Sequence, residues 1–379
     1  MRRRFVLLLA VATVAALAAC TGTGSASPSP VPSTPSPTAD PLAGLTLAQR
    51  VGQLFMVGTP AAAAAPGTLD DIGRLDVGGV FLSGRSTASV AATRDVVARL
   101  TAADPGGAPL LVATDQEGGE VQVLQGAGFE RMPSALAQAG TPAADLQQAA
   151  TRWGRELHAA GVNMDLAPVA DVVDSPQQAA TNPPVGQLQR EYGYGAAAVG
   201  PHAQAFSSGM LAADVVPVAK HFPGLGAVSG NTDFTASVTD PVTSASSPSV
   251  GVFRGLIEGG MPAVMVSTAI YARIDPAAPA AFSAPVVTRL LRGALGFRGV
   301  VLTDDVSAAR QVAAWSPADR AIDAIDAGVD IVLVSAAPGL APQMIAAVVA
   351  KAQTDAAFAA RVDAACARVL VLKQRYLRP

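Results

Sequence analysis

Eight short apolar runs, separated by helical stretches, restrict this chain to very few folds. They cover residues 51–57, 77–82, 109–114, 164–172, 211–219, 263–267, 299–303 and 330–334. Runs of four to eight apolar residues without polar alternation read as strands buried on both faces, which means a parallel sheet covered by helices. Helical patterns fill the gaps, among them residues 88–103, 144–160, 196–209, 250–258, 285–295 and 317–327. Two more helices follow the last strand. Eight such units over roughly 300 residues predict a single (β/α)8 TIM-type barrel. The doubly wound alternative lacks support, because Gly58-Thr59-Pro60 after the first strand has no dinucleotide-type glycine spacing.

In a barrel the C-terminal strand ends converge on one face, where chemistry is done. Here those ends carry Asp115, Asp171, Lys220-His221, Ser267-Thr268 and Asp304-Asp305. Lys220-His221 opens the most informative stretch. It continues through Phe222-Pro223-Gly224-Leu225-Gly226 to Asn231-Thr232-Asp233, inside a polar loop of more than twenty residues. Adjacent strand residues point to opposite faces, so Lys220 and His221 share a face only if the strand has already ended. One would contact a ligand and the other a structural carboxylate. Asp304 suits a nucleophile or general base, while Asp305 or Ser307 suits a cap for the following helix. Asp115, followed by Gln116-Glu117-Gly118-Gly119, can accept two hydrogen bonds, and the glycines would admit close backbone approach to a ligand. Glu117 equally suits an ion pair inside the barrel.

Composition narrows the chemistry. Half of the 379 residues are hydrophobic and 15% are charged, with a net charge of −3. Beyond the arginines at residues 2–4 there is no basic cluster, which with the net charge argues against nucleic acid as a partner. The only histidines are His158, His202 and His221 and the only cysteines Cys20 and Cys366, with no ligand spacing among them. Neither a metal site nor a cofactor is expected.

The N-terminus reads as an address. Met1-Arg2-Arg3-Arg4 is a positive n-region, and an apolar stretch runs from Phe5 to Ala16. It closes on Leu17-Ala18-Ala19-Cys20, which resembles the lipobox of bacterial lipoproteins. The resemblance implies a signal peptide over residues 1–19, diacylglycerol on Cys20 and an extracytoplasmic protein anchored to the cell membrane. Residues 20–40, almost wholly Ser, Thr, Pro, Gly and Ala, read as a tether. The folded domain is expected over residues 41–379, with Cys366 a buried small hydrophobe.

Taken together, the motifs resemble glycoside hydrolase family 3, in its single-domain β-N-acetylglucosaminidase branch. The resemblance rests on Asp115-Gln116-Glu117-Gly118-Gly119, on residues 164–171 (Met-Asp-Leu-Ala-Pro-Val-Ala-Asp), on Arg190-Glu191-Tyr192-Gly193, on Lys220 to Gly226, and on Leu302-Thr303-Asp304-Asp305. It spans about residues 45–340 in order. It implies removal of terminal β-linked N-acetylglucosamine with retention, through a glycosyl-enzyme intermediate on Asp304. Asp115, Arg190, Lys220 and His221 fall on sugar-binding positions. Peptidoglycan fragments (muropeptides) are the substrates this placement implies.

The loop departs from the family pattern. Leu225 stands where that branch has its first loop histidine, and Asn231-Thr232-Asp233 lies over Asp-Ser-His, whose histidine is the family's acid/base. An arginine expected after the glycine pair is absent, with Glu120 and Val123 nearby. Three expectations stay open: Asp233 is itself the general acid; the loop shifts register and Asp240 or another residue acts; or protonation is absent. The last leaves a catalytically silent sugar-binding lipoprotein or an enzyme restricted to good leaving groups. Phosphorolysis in place of hydrolysis is a further variant.

Overall fold

Eight parallel strands follow one another round a closed barrel in chain order, in the computed structural model, which describes residues 40–377. The strands are β1 (Phe55–Pro60), β2 (Gly79–Ser83), β3 (Leu111–Thr114), β4 (Met164–Asp165), β5 (Val216–Phe222), β6 (Ala263–Val266), β7 (Val300–Thr303) and β8 (Val332–Val334). Each pairs in parallel with its predecessor from β1 to β7, and β1 pairs with β8. A bridge between Leu302 and Ile331 joins β7 to β8 and completes the ring. The expected signal peptide, the expected acylation of Cys20 and the expected tether over residues 20–40 fall, up to residue 39, outside the described residues. No helix of the described residues is long and apolar enough to cross a membrane.

Helices alternate with the strands as the apolar patterning requires. α1 (Leu47–Gly52) precedes β1. It starts in a capping box, in which the Thr46 hydroxyl accepts the Gln49 amide and the Gln49 side chain accepts the Thr46 amide. Then come α2 (Pro66–Leu75), α3 (Val90–Thr101), α4 (Ala143–Ala159), α5 (Ala196–Leu211), α6 (Pro248–Glu258), α7 (Pro285–Ala294), α8 (Pro317–Ala327), α9 (Ala341–Thr354) and α10 (Ala356–Tyr376). α7 is wound as a π-helix.

The strand pleat divides the core in two. Met56, Leu111, Ala113, Met164, Val216, Val218, Ala263, Met265, Val300 and Leu302 fill the barrel interior. Their neighbours Val57, Val112, Ala219, Val264 and Val301 face the helix layer. Both faces are apolar because both are buried, at about 1.5–3 kcal/mol for each large side chain removed from water. Val369 and Leu372 of α10 join the interior cluster. The inward register matters for the site: 111-113-115, 216-218-220 and 300-302-304 each end on a polar residue just above the apolar layers.

Local differences from the sequence reading have physical causes. Residues 166–172 read as strand, but the ladder of β4 stops at Asp165 and only a bridge from Val169 to Lys220 continues it. The strand read from residue 211 starts at Val216, because α5 runs on through Leu211. Cys366 is fully buried in α10.

Candidate active site

Asp115, Arg190, Lys220, His221, Asp233 and Asp304 line one cavity of about 400 Å³. Small-molecule sites span ~300–1,000 Å³, and a cavity at the small end suits one ring with part of a substituent. Phe81, Leu166, Met265 and Leu333 contribute apolar wall to it.

Asp115, Lys220 and Asp304 reach the cavity by the strand pleat. His221 does not follow that rule. The ladder between β5 and β6 slips between Ala219 and Phe222, and both Lys220 and His221 line the cavity while still within the strand. The opposite-face expectation is therefore corrected: an irregular strand end brings both inward.

Lys220 is 2% exposed and sits between two carboxylates, with Nζ 2.6 Å from Asp115 Oδ1 and 2.6 Å from Glu117 Oε1. Arg190 grips the same Glu117 from the other side, its Nε and a terminal nitrogen donating at 2.8 and 2.7 Å. Arg190 also donates to the Pro184 carbonyl at 2.7 Å. Burial alone would raise the Glu117 pKa, but Arg190 and Lys220 outweigh it and carry it down to about 2. Burial would lower Lys220, yet Asp115 and Glu117 hold it above the usual lysine value. Both cations thus stay charged and fixed, ready to orient hydroxyl groups. Beneath them lies Asp165, fully buried, with Oδ1 accepting the Gln116 amide at 3.0 Å. Burial pushes its pKa well above the usual carboxylate range, and Asp115 and Glu117 add to that.

Asp171 organises the other wall. It is wholly buried and accepts from the His221 amide (3.1 Å), the Leu225 amide (2.7 Å) and His221 Nδ1 (2.7 Å). Burial opposes its ionisation, but His221 and the two amides win, and its pKa falls below the usual value. With Nδ1 engaged, His221 has Nε2 left for a ligand. Asn182 staples the next turn. Its amide nitrogen donates to the carbonyls of Leu225, Gly226 and Val228, and its oxygen accepts from Val185 and Gly186. Leu225, where the family pattern has histidine, is 2% exposed and part of the core.

The two acids at Asp304-Asp305 divide cleanly. Asp305 accepts from the amides of Ser307, Ala308 and Ser335 and from the Ser307 hydroxyl, so it ties the loops after β7 and β8 together. Asp304 accepts only the Asp305 amide, on Oδ1 at 2.8 Å. Its Oδ2 has no partner among the described residues and is free for a reacting carbon.

Asp233 stands at the exposed rim of the same cavity. Partial burial in the cleft and the negative Asp304 and Asp305 raise its pKa to about 6, against an opposing pull from His221 and Arg190. Two carboxylates in one cleft, one of them pushed toward neutrality, are the arrangement in which one acid donates a proton while the other attacks. Asp240 is not available for that work. It is fully buried and accepts from Val242, Thr243 and the Thr243 hydroxyl, away from the cavity.

Gly118 and Gly119 serve the backbone and not a ligand. Both have positive φ, and a Cβ on Gly118 would collide with the Pro133 carbonyl. Among the described residues no group of three or more His, Cys, Asp or Glu is arranged to hold a metal.

Comparisons with known proteins place the chain in a family. The profile described as the glycosyl hydrolase family 3 N terminal domain matches residues 46–372. A β-hexosaminidase of Xylella fastidiosa (strain 9a5c) is 34% identical over 294 residues, 74% of this chain and 82% of that protein. A crystal structure of a β-N-acetylhexosaminidase from Beutenbergia cavernae DSM 12333 superposes with a TM-score of 0.87 at 61% identity, covering 88% of this chain and 99% of the other. A family 3 β-N-acetylglucosaminidase from Paenibacillus sp. str. FPU-7 superposes with a TM-score of 0.81 at 32% identity, over 88% of this chain and 63% of its own.

Proposed function

The chain belongs to glycosyl hydrolase family 3 and is an enzyme of the β-hexosaminidase type; on that premise we propose that it removes terminal β-linked N-acetylglucosamine with retention, using Asp304 as nucleophile and Asp233 as acid/base. The observation that carries this reading is the pairing in one cleft of Asp304, with a free carboxylate oxygen, and Asp233, with its pKa raised to about 6.

In the first step Asp304 Oδ2 bonds to the anomeric carbon while that carbon's bond to the leaving oxygen breaks. Asp233 gives its proton to the departing oxygen. In the second step a water attacks the anomeric carbon from the vacated side as the bond from that carbon to Asp304 breaks, and it passes a proton to Asp233, so both carboxyl groups return to their starting states. Asp115, Lys220, Arg190 and His221 hold the sugar ring during both steps. Phe234, 79% exposed beside Asp233 and bordering the cavity, offers an apolar face to the leaving group.

The natural substrate we propose is a peptidoglycan fragment, met outside the cytoplasm by an enzyme anchored through acylated Cys20. Leu17-Ala18-Ala19-Cys20 and the proline-rich stretch behind it support that placement. The test is release of N-acetylglucosamine from an aryl β-glycoside and from a muropeptide, with and without phosphate. The reading predicts free sugar in both buffers and none from Asp304→Ala. Saturable sugar binding without turnover of any β-hexosaminide would replace it with a binding role, and sugar 1-phosphate would make the reaction phosphorolysis.

A further inference from the structure

The loop that carries Asp233 is pinned at both ends by one two-residue step of chain. On the near side the Arg310 amide donates to the Asp233 carbonyl at 3.1 Å, and the Gln311 amide to the Thr232 carbonyl at 3.0 Å. On the far side the Gln311 side chain takes both polar groups of Val238. Its oxygen accepts the Val238 amide at 2.7 Å, and its nitrogen donates to the Val238 carbonyl at 3.2 Å. Between these anchors residues 233–237 are all exposed. Gln311 itself is 4% exposed and does not border the cavity.

The anchor is stiff in its own right. It follows β7, the strand that delivers Asp304 just past its end. The intervening turn is fixed by Asp305 and by Arg320, which donates to the carbonyls of Val306 and Ser307. Nucleophile and acid are thereby referred to one piece of backbone. The Val238 carbonyl also accepts the Ile270 amide at 3.0 Å, so what the two Gln311 side-chain bonds add is the tie between that end of the loop and the turn after β7. Without that tie the Asp233 backbone keeps its Arg310 bond, but the segment after it is no longer referred to the nucleophile's turn, and an acid misplaced by about 1 Å loses much of its effect.

We propose that Gln311 is a positioning residue for proton transfer, clamping the loop so that the Asp233 carboxylate stands ready opposite Asp304. This inference rests on Asp233 being the acid, so both are tested together in the full chain.

The experiment compares kcat/KM on two aryl β-N-acetylglucosaminides, one with a dinitrophenyl leaving group that departs unprotonated and one with a phenyl group that needs the proton. Asp233→Ala should lose about 100-fold or more on the phenyl substrate and only a few-fold on the dinitrophenyl one. Gln311→Met keeps the volume and removes both bonds. It should show the same selectivity at about 10- to 100-fold. Gln311→Glu keeps the acceptor for the Val238 amide and should fall between Met and the native residue. If Asp233→Ala discriminates but Gln311→Met loses equally on both substrates, Gln311 is merely structural and the inference is overturned while the acid stands. If Asp233→Ala loses equally on both, the acid assignment fails and takes this inference with it. Should the Met variant not fold, the selectivity of Gln311→Glu decides in the same way.

Discussion

Replacing Glu117 by Gln tests whether the cavity wall formed by Asp115, Glu117, Arg190 and Lys220 is an ion network or a set of separate contacts. Glu117 is 3% exposed and takes three charged hydrogen bonds, two from Arg190 and one from Lys220. Its pKa falls from 4.5 to about 2 on folding. A carboxylate with a depressed folded pKa contributes stability that is present above its unfolded value and is lost as pH falls through the folded one. At ~1.4 kcal/mol per pH unit the drop corresponds to about 3 kcal/mol. Breaking a buried pair by removing one partner costs ~3–5 kcal/mol, a similar figure from a separate line of argument. Glutamine keeps the shape and leaves Lys220 and Arg190 with Asp115 as their remaining close carboxylate. Urea unfolding at pH 7 should therefore show Glu117→Gln less stable by about 3 kcal/mol. The difference should hold down to about pH 4.5 and shrink as the pH approaches 2. Turnover should fall through a raised KM, because the two cations lose their tether. A loss under ~1 kcal/mol at pH 7, the level of a surface pair, would refute the network account. So would a difference independent of pH between 5 and 2.

Other expectations follow from the same geometry. The general acid must be protonated to act, so kcat/KM on a phenyl glycoside should decline as pH rises through about 6. Asp233→Asn should abolish that limb in a pH–rate profile. Lys373, 1% exposed at the foot of the barrel with Gln53 Oε1 at 2.6 Å, has its pKa lowered by burial to about 7. The unfolded chain binds more protons between pH 7 and 10.5, so stability should rise over that window. Lys373→Met should be the more stable form at pH 7 and should flatten the rise in thermal melts. Asp171→Asn should loosen His221 and the Leu225 turn together, raising KM and lowering the melting temperature.

The barrel was legible because its strands are apolar on both faces, and that pattern is continuous in sequence. The inward register then identifies Asp115, Lys220 and Asp304, since each ends a run whose alternate residues fill the barrel. His221 was harder, because a slipped ladder breaks the alternation and no local pattern signals the slip. Glu117 and Asp171 were visible as acids near strand ends, but their partners lie 73 and 50 residues away. Which cation each takes is a matter of barrel closure. Gln311 carried no signal at all: one glutamine bonded to a backbone 73 residues distant looks like any polar surface residue. The glycine pair misled for a related reason, since the backbone it admits, at Pro133, is not adjacent in sequence.

Retention of configuration depends most directly on a covalent bond to Asp304. A slow fluorosugar with an N-acetylglucosamine configuration should leave the native enzyme heavier by one glycosyl group, and peptide mapping by mass spectrometry should place that group on Asp304. Asp304→Asn should stay unlabelled, and hydrolysis of a natural-configuration glycoside should release the β-anomer first. A label on another residue, or no label together with release of the α-anomer, would contradict the double-displacement chemistry derived from this site.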